Sequence, residues 1–442
     1  MRSFDVFDTL IGRKCYLPKN IFLEMAHKLG DVNFPTKRIA AERYFQNTMS
    51  EYSLDDIYMR LGKPELASME FQLELDNVFP ITRYARRLRD DDILVSDMYL
   101  NANQIRELLM KAGINFQGEI VVSNYGKITG NVWKQVKPIL HTGNNVQTDV
   151  IGPKAYNIPT QEAFTQFTGF EKRISEHSRE LAYWIRYHRL KSIINEQSDH
   201  ELLNFIFLEY NMPLLYCMTQ LILEHAKQKG FKKLLFMSRD TNLLMKMFLE
   251  LHRLRIDAEY IYISREALVN GSKTYFKYLY SKLDKKATLI DMASSCGSLV
   301  KALPKIPPKT INLFTGIFLE SFGVDVTGIN LSCITTNKKT YINNTLVEML
   351  NYASDHNQIL DMHELGNTWV PVFADYKEYD VKRVQEYHDL FQQMMEDIPI
   401  VKIEKPIELY TRCLAMIQGQ SQYLLKTFPN HIPIEKMRKK RL

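Results

Sequence analysis

Phe4-Asp5-Val6-Phe7-Asp8-Thr9-Leu10 opens the chain with an apolar run that carries a carboxylate inside it and ends in a polar turn at Asp8-Thr9. Such a run, bounded by turn residues, predicts a buried strand. From Asn20 to about Asp76 the spacing turns helical: Ile21, Phe22, Met25 and Leu29 share one face, and Leu54, Ile57, Tyr58 and Leu61 share another. Strand signals return at Ile93-Leu94-Val95, Ile120-Val121-Val122 and Pro138-Ile139-Leu140, separated by helical segments such as Asn103 to Lys111. Strands alternating with helices predict an α/β fold built on a parallel sheet, here with a helical insertion behind the first strand.

Beyond Asn157-Ile158-Pro159 the alternation stops, and a largely helical stretch runs from about Glu171 to Lys229. A second α/β pattern follows, with strands expected at Leu234-Leu235-Phe236, Tyr260-Ile261-Tyr262-Ile263, Thr288-Leu289-Ile290 and Gly316-Ile317-Phe318-Leu319. After about Leu331 the sequence reads as mixed loops and helices. The expected organisation is a first domain over 1–165 with a cap at about 16–85, a helical connector over 166–230, and a second α/β domain over 231–442. A chain of 442 residues, 45% hydrophobic and 24% charged, is too long for one core and too apolar for disorder.

Cys15, Cys217, Cys296, Cys333 and Cys413 are an odd number without metal-ligand spacing, so neither a disulfide framework nor a zinc site is expected. Asp5 stands where a signal peptide would be apolar, and no uninterrupted apolar stretch approaches the ~20 residues of a membrane span. A cytoplasmic protein is expected. The formal charge of +6 is mild, but Lys436, Arg438, Lys439, Lys440 and Arg441 gather at the end of the chain. That tail reads either as a solvated end or as a peripheral contact with the inner membrane face, where each basic residue adds roughly 1 kcal/mol. No binding motif for nucleic acid accompanies it.

In an open parallel sheet, ligands bind beyond the carboxyl ends of the strands. Polar residues follow the apolar runs of the first domain four times: Asp5 and Asp8-Thr9, then Ser96-Asp97, then Lys127, then Gly143-Asn144-Asn145 through Asp149. Phe4-Asp5-Val6-Phe7-Asp8-Thr9-Leu10, Leu94-Val95-Ser96, Gly126-Lys127 and Gly143-Asn144-Asn145-Val146-Gln147-Thr148-Asp149 together resemble, in order and spacing, the four motifs of the haloacid-dehalogenase (HAD) superfamily over roughly residues 1 to 165. The resemblance implies a HAD Rossmann-like sheet with the insertion as its cap, and Asp5 as a nucleophile that forms an aspartyl-phosphate. It further implies Mg²⁺ held by Asp5, the Phe7 carbonyl and the loop carrying Asn144, Asn145 and Asp149, with Ser96 and Lys127 on the phosphate oxygens. The sequence departs from the family's phosphatases twice. Phe7 replaces the usual second Asp, which leaves Asp8 or Asp97 as candidate acid/base, and Asn144 stands where an Asp ligand is common.

Three polar clusters follow apolar runs in the second domain: Ser238-Arg239-Asp240, Ser264-Arg265-Glu266, and Asp291-Met292-Ala293-Ser294-Ser295-Cys296-Gly297-Ser298. A small-residue turn opening a helix presents N–H groups and hydroxyls to an anion, and Arg239 and Arg265 would add bidentate phosphate contacts. A Ser-rich turn is equally a helix N-cap. The whole arrangement, with Val95-Ser96-Asp97-Met98-Tyr99 and Leu289-Ile290-Asp291-Met292-Ala293-Ser294, resembles the bacterial dual-domain ribofuranosyltransferases. That resemblance implies transfer of a phosphoribosyl group from phosphoribosyl pyrophosphate (PRPP) to a glycan acceptor of a surface polysaccharide such as an O-antigen or capsule, the acceptor being lipid-linked, followed by dephosphorylation in the HAD domain. Arg239, Asp240, Arg265, Asp291, Ser294, Ser295, Gly297 and Ser298 are the residues expected to hold PRPP. A stand-alone sugar-phosphate phosphatase and a catalytically silent HAD scaffold are the competing expectations.

Overall fold

The computed structural model describes residues 1–48, 51–194, 198–252, 255–306, 311–337, 347–348, 350–351, 356–375 and 381–420. The basic tail at 436–441 lies outside the described residues. The chain forms two compact units, Met1–Lys172 with Ala182–Glu201, and Arg173–Leu181 with Leu202–Leu442. The 166–230 stretch is thereby divided between both units.

The fold is α/β, with a five-stranded parallel sheet in each unit. In the first unit the strands are β1 (Ser3–Phe4), β4 (Ile93–Ser96), β5 (Glu119–Val122), β6 (His141–Gly143) and β7 (Thr160–Glu162), in the order β5-β4-β1-β6-β7. Between β1 and β4 a short antiparallel pair, β2 (Ile11–Arg13) with β3 (Val78–Pro80), forms the stem of the insertion. The insertion holds α1 (Pro18–Leu29), α2 (Phe34–Thr48), α3 (Leu54–Leu61) and α4 (Ala67–Asn77). Its centre is ionic. Arg38 is fully buried, donates at 2.7 and 2.8 Å to the two Glu70 oxygens, and lies against the rings of Phe22, Tyr58 and Tyr99. Tyr58 and Tyr99 also donate to Glu70, so the buried charge is saturated with donors.

The strand expected at Pro138-Ile139-Leu140 lies three residues later, at His141–Gly143. Ile139 is 68% exposed, whereas His141 and Thr142 are buried. The His141 ring is tolerated there because its Nδ1 pairs with the Ser3 hydroxyl at 2.8 Å, and the Thr142 carbonyl accepts from the Asp5 N–H at 2.8 Å. The first strand is likewise shorter than its apolar run, because the chain leaves the sheet after Phe4 to turn at Val6–Leu10.

In the second unit the strands are β8 (Lys233–Met237), β9 (Asp257–Ile261), β10 (Ala287–Ser294), β11 (Ile311–Phe318) and β12 (Ile329–Thr336), ordered β12-β11-β10-β8-β9. An antiparallel hairpin of β13 (Ile359–Leu365) and β14 (Thr368–Phe373) follows where loops and helices were expected. The helix Pro406–Gly419 crosses β11 closely: a Cβ at Gly316 would lie 2.4 Å from the Tyr410 hydroxyl and 2.8 Å from the Met292 carbonyl. Helical residues Glu201–Lys229 have the length and apolarity of a membrane span, but the 18-residue window that gives them that apolarity is 94% buried in the protein.

Each strand order reverses direction once. In the first sheet this happens between β1 and β6, and in the second between β8 and β10. A crevice opens at such a reversal, beyond the carboxyl ends of the strands. Asp5 and Asn144–Asp149 follow β1 and β6. Asp240 follows β8, and Asp291 to Ser294 form the end of β10.

Candidate active site

Asp5 is the first residue past β1 and is only 5% exposed. Its Oδ1 accepts from Lys127 Nζ at 2.5 Å and its Oδ2 from the Thr9 hydroxyl at 2.9 Å. Lys127 comes from the short helix Gly126–Thr129 beyond β5, and the same Nζ donates to Asp149 Oδ1 at 2.8 Å. Asp149 is held in turn by the Asn145 N–H on Oδ2 at 3.0 Å and by His141 Nε2, 3.3 Å from Oδ1. One ammonium therefore bridges two carboxylates from the two strands that flank the reversal.

The electrostatics of the trio are asymmetric. Burial pushes Asp5 up to about 7; Lys127 pulls against this, while Asp149 and Asp97 add to it. Burial also disfavours the charged Asp149, but Lys127 and His141 outweigh it and hold that carboxyl below the usual range. Lys127 is raised despite its burial, because Asp5, Asp149 and Asp97 surround it with negative charge. Burial lowers His141, with the nearby Lys127 ammonium acting in the same direction against the Asp149 bond. The result is a permanently charged Lys127–Asp149 pair beside a carboxyl that titrates near neutrality.

The other expected residues separate. Ser96 ends β4, is buried, and its oxygen accepts from the Met98 N–H at 3.3 Å. Asp97 is close enough that its charge is felt by both Asp5 and Lys127. Asp8 adopts a left-handed conformation with φ of 54°, and its Oδ1 accepts from Arg186 at 3.0 Å. Arg186 also donates to the Thr165 carbonyl at 2.9 Å and lies over the Tyr16 ring. Phe7, where a second carboxylate was looked for, lies under the Arg13 guanidinium at 4.5 Å. Arg13 is itself buried and bidentate to Glu74 of α4 at 2.6 and 3.0 Å, so Phe7 ties the Asp5 loop to the insertion.

The donor set suits a hard cation, being all oxygen. The Thr9 hydroxyl lies 2.9 Å from Asp5 Oδ2 and 3.4 Å from the Asn144 amide oxygen, which brings those two oxygens to one spot. Asn145 contributes differently from expectation: its side-chain oxygen accepts from the N–H groups of Gln147 and Thr148, at 3.0 and 3.3 Å, and caps the Val146–Ile151 turn. Among the described residues no three His, Cys, Asp or Glu side chains group to hold a metal by themselves. A cation at Asp5 would therefore have to draw on amide and backbone oxygens as well.

In the second unit Asp240, Asp291 and Glu348 influence one another. Burial raises Asp240 well above the carboxylate range, and Asp291 and Glu348 raise it further. Burial pushes Asp291 up to about 6 against hydrogen bonds from Ser294 and the Met292 and Ala293 backbone. Glu348 is pushed up to about 8 by burial and by Asp291, with Arg265 and Arg239 opposing. Arg239, Asp240, Arg265 and Asp291 thus gather around Glu348, which no strand or turn signal marked. Asp291 lies inside β10 rather than after it, paired with Thr315 of β11. Ser264 caps Arg265–Asn270 by accepting from the Ala267 N–H at 3.0 Å. The Ser294 oxygen accepts from the Cys296 N–H at 3.2 Å, and Gly297 and Ser298 begin a helix of six residues with Ser295 in the turn before it.

Sequence reasoning also passed over Thr9 and His141 as site residues. Thr9 stands four residues after Asp5 and bonds to it, and His141 is a polar residue inside a buried strand, which are the signals that find them. No protein-family model matches the chain, and no curated protein matches it either.

Proposed function

We propose that the chain performs a two-step ribofuranosyl transfer in surface polysaccharide biosynthesis. The second unit transfers 5-phosphoribosyl from PRPP to a glycan acceptor, and the first unit then removes the 5-phosphate. The observation that carries the reading is the buried Asp5 carboxylate at the strand-order reversal, bridged to Asp149 by Lys127.

In the first step the bond from the anomeric carbon to pyrophosphate breaks, and the electrons leave with pyrophosphate. The acceptor hydroxyl bonds to that carbon and gives up its proton. Arg239 and Arg265 offset the charge of the leaving group. The Asp240–Asp291–Glu348 group, with members pushed up to about 6 and about 8, takes the proton near neutral pH.

In the second step the ionised Asp5 attacks phosphorus, and the ester P–O bond breaks as the leaving alkoxide gains a proton. Water then displaces the aspartate from phosphorus, releasing inorganic phosphate. Lys127 keeps one ammonium against the phosphoryl oxygens and holds Asp149 in place. Ser96 supplies a further oxygen contact at the end of β4. Asp97, in its protonated form, gives the leaving alkoxide its proton and as the carboxylate then takes one from the attacking water, since Asp8 is bonded to Arg186. Mg²⁺, held by Asp5, Asn144, Asp149 and the Phe7 carbonyl, would offset the repulsion between carboxylate and phosphate.

The test is incubation of wild type and Asp5→Asn with PRPP, Mg²⁺ and a panel of bacterial glycan acceptors, read by mass spectrometry. The expected result is a phosphoribosyl adduct that accumulates with Asp5→Asn and a ribosyl adduct with wild type. If no acceptor gains a pentose, the transferase reading fails. If phosphate release from p-nitrophenyl phosphate is also absent, the phosphatase reading fails with it.

A further inference from the structure

A cleft of about 390 Å³ opens in the first unit between the 80–90 segment and the 112–116 segment. Both segments run into the amino ends of strands, β4 and β5, whereas Asp5 and Lys127 stand beyond carboxyl ends. The cleft therefore lies on the edge of the sheet away from the catalytic residues. Its size is that of a small-molecule site, which bury ligands in roughly 300–1,000 Å³.

The chemistry of the lining is specific. Arg83, Arg86, Arg87 and Arg89 fall within seven residues, and Arg86 and Arg89 line the cleft. Both are exposed, and among the described residues neither guanidinium is bonded to a carboxylate. Leu88, Ile114 and Phe116 also line it, the last two nearly buried, and give it an apolar base. Asp90 also lines the cleft, with its Oδ1 accepting from the Gln117 N–H at 3.0 Å, so the balance stays positive.

The walls are fixed before any ligand arrives. Arg2 is bidentate to the buried Asp92 at 2.9 and 2.6 Å and donates to the Arg87 carbonyl at 2.7 Å, which anchors the arginine segment. Arg106 donates to the carbonyls of Phe116 and Gly118, which anchors the facing segment. The Gln117–Asp90 bond joins the two walls. With the backbone of both walls held in advance, the ordering cost of binding falls on the two arginine side chains alone.

We infer that this cleft binds a phosphate group carried on a small organic body, at a second, non-catalytic site on the first unit. Planar guanidiniums match phosphate oxygens bidentately, and the apolar base takes the attached carbon framework. The inference does not depend on the reaction proposed at Asp5.

The experiment compares wild type with Arg86→Gln/Arg89→Gln. Inorganic phosphate and glycerol phosphate are titrated calorimetrically, and amide hydrogen exchange follows residues 84–90 and 112–117. A second arm measures sedimentation with phosphatidylcholine vesicles with and without phosphatidic acid. The expected result is phosphate-dependent protection of both segments in wild type, and affinity roughly tenfold or more weaker in the double variant. Turnover at Asp5 stays unchanged. Arg86→Lys/Arg89→Lys, which keeps the charge without the fork, should fall between the two. Arginine-dependent retention on phosphatidic acid vesicles identifies the source as a lipid headgroup; binding of the soluble ester alone identifies a soluble metabolite. Equal phosphate binding and equal exchange in wild type and double variant overturn the inference.

Discussion

Replacing Asp5 by asparagine should remove the candidate nucleophile and at the same time stabilise the protein above neutral pH. The Asp5 carboxyl ordinarily titrates at 3.8 and is pushed up to about 7, chiefly by burial. At roughly 1.4 kcal/mol per unit, keeping it ionised in the folded state costs about 4 kcal/mol. A carboxyl raised in the folded state favours folding most below its unfolded value, and this contribution is lost as pH rises through about 7. The unfolded carboxyl is already largely ionised at about pH 5, so about 2–3 kcal/mol of the loss falls between about pH 5 and pH 8. Asparagine has no such proton to lose. The difference in melting temperature between Asp5→Asn and wild type should therefore grow by about 5–10 °C over that interval, at about 2–4 °C per kcal/mol for a unit of this size. Thermal melts of both proteins in matched buffers across the range make the measurement, and groups that titrate alike in both cancel. A melting difference that stays constant from about pH 5 to pH 8 would refute the reasoning, because Asp5 would then be an ordinary ionised carboxylate despite its burial.

Lys127→Met leaves Asp5 and Asp149 buried without their shared cation, and urea denaturation at neutral pH should show a loss of about 3–5 kcal/mol that shrinks as pH falls and Asp5 takes up a proton. Asp97→Asn should lower kcat for phosphate release at least tenfold with KM little changed, as expected for loss of a proton donor. Asp8→Asn should instead lower the melting temperature and spare kcat, since its oxygen serves Arg186; steady-state kinetics and melts on both variants separate the two. Gly316→Ala drives a methyl group against the Tyr410 hydroxyl and the Met292 carbonyl, and chemical denaturation should show a cost of about 1–3 kcal/mol.

The alternation of apolar runs and helical spacing was legible enough to predict both parallel sheets, because β4, β8 and the first half of β10 carry buried apolar runs, and the edge strand β5 carries the half-buried run Ile120-Val121-Val122. β6 was misplaced for the opposite reason. His141 is an interior residue whose ring nitrogens pair with Ser3 and Asp149, which no hydropathy pattern records. β12 and the β13–β14 hairpin escaped because their burial is partial and their composition mixed, as in Asn330, Ser332 and Thr335 of β12. At the site, Asp5, Lys127 and Asp149 were found by their position after strands. The pairing of Asp8 with Arg186 was invisible, since the two residues are 178 apart in sequence. Glu348 was hidden likewise, lying far from the strand ends whose charges it shares.

The clamp formed by Phe7, Arg13 and Glu74 bears on rates. Arg13 belongs to the stem strand β2 and Glu74 to α4, so a swing of the insertion about its stem must rupture a bidentate ion pair whose side chains are both at least 97% covered. Rupture of such a pair costs about 3–5 kcal/mol. The swung-out species is then held to roughly one molecule in a hundred or fewer. Exchange of ligand at Asp5 through that movement would wait on a rare event, and turnover would carry the imprint of the stem rather than of the phosphorus chemistry. Glu74→Gln, by loosening the stem, would raise the dissociation rate of inorganic phosphate while leaving the reacting carboxylate untouched.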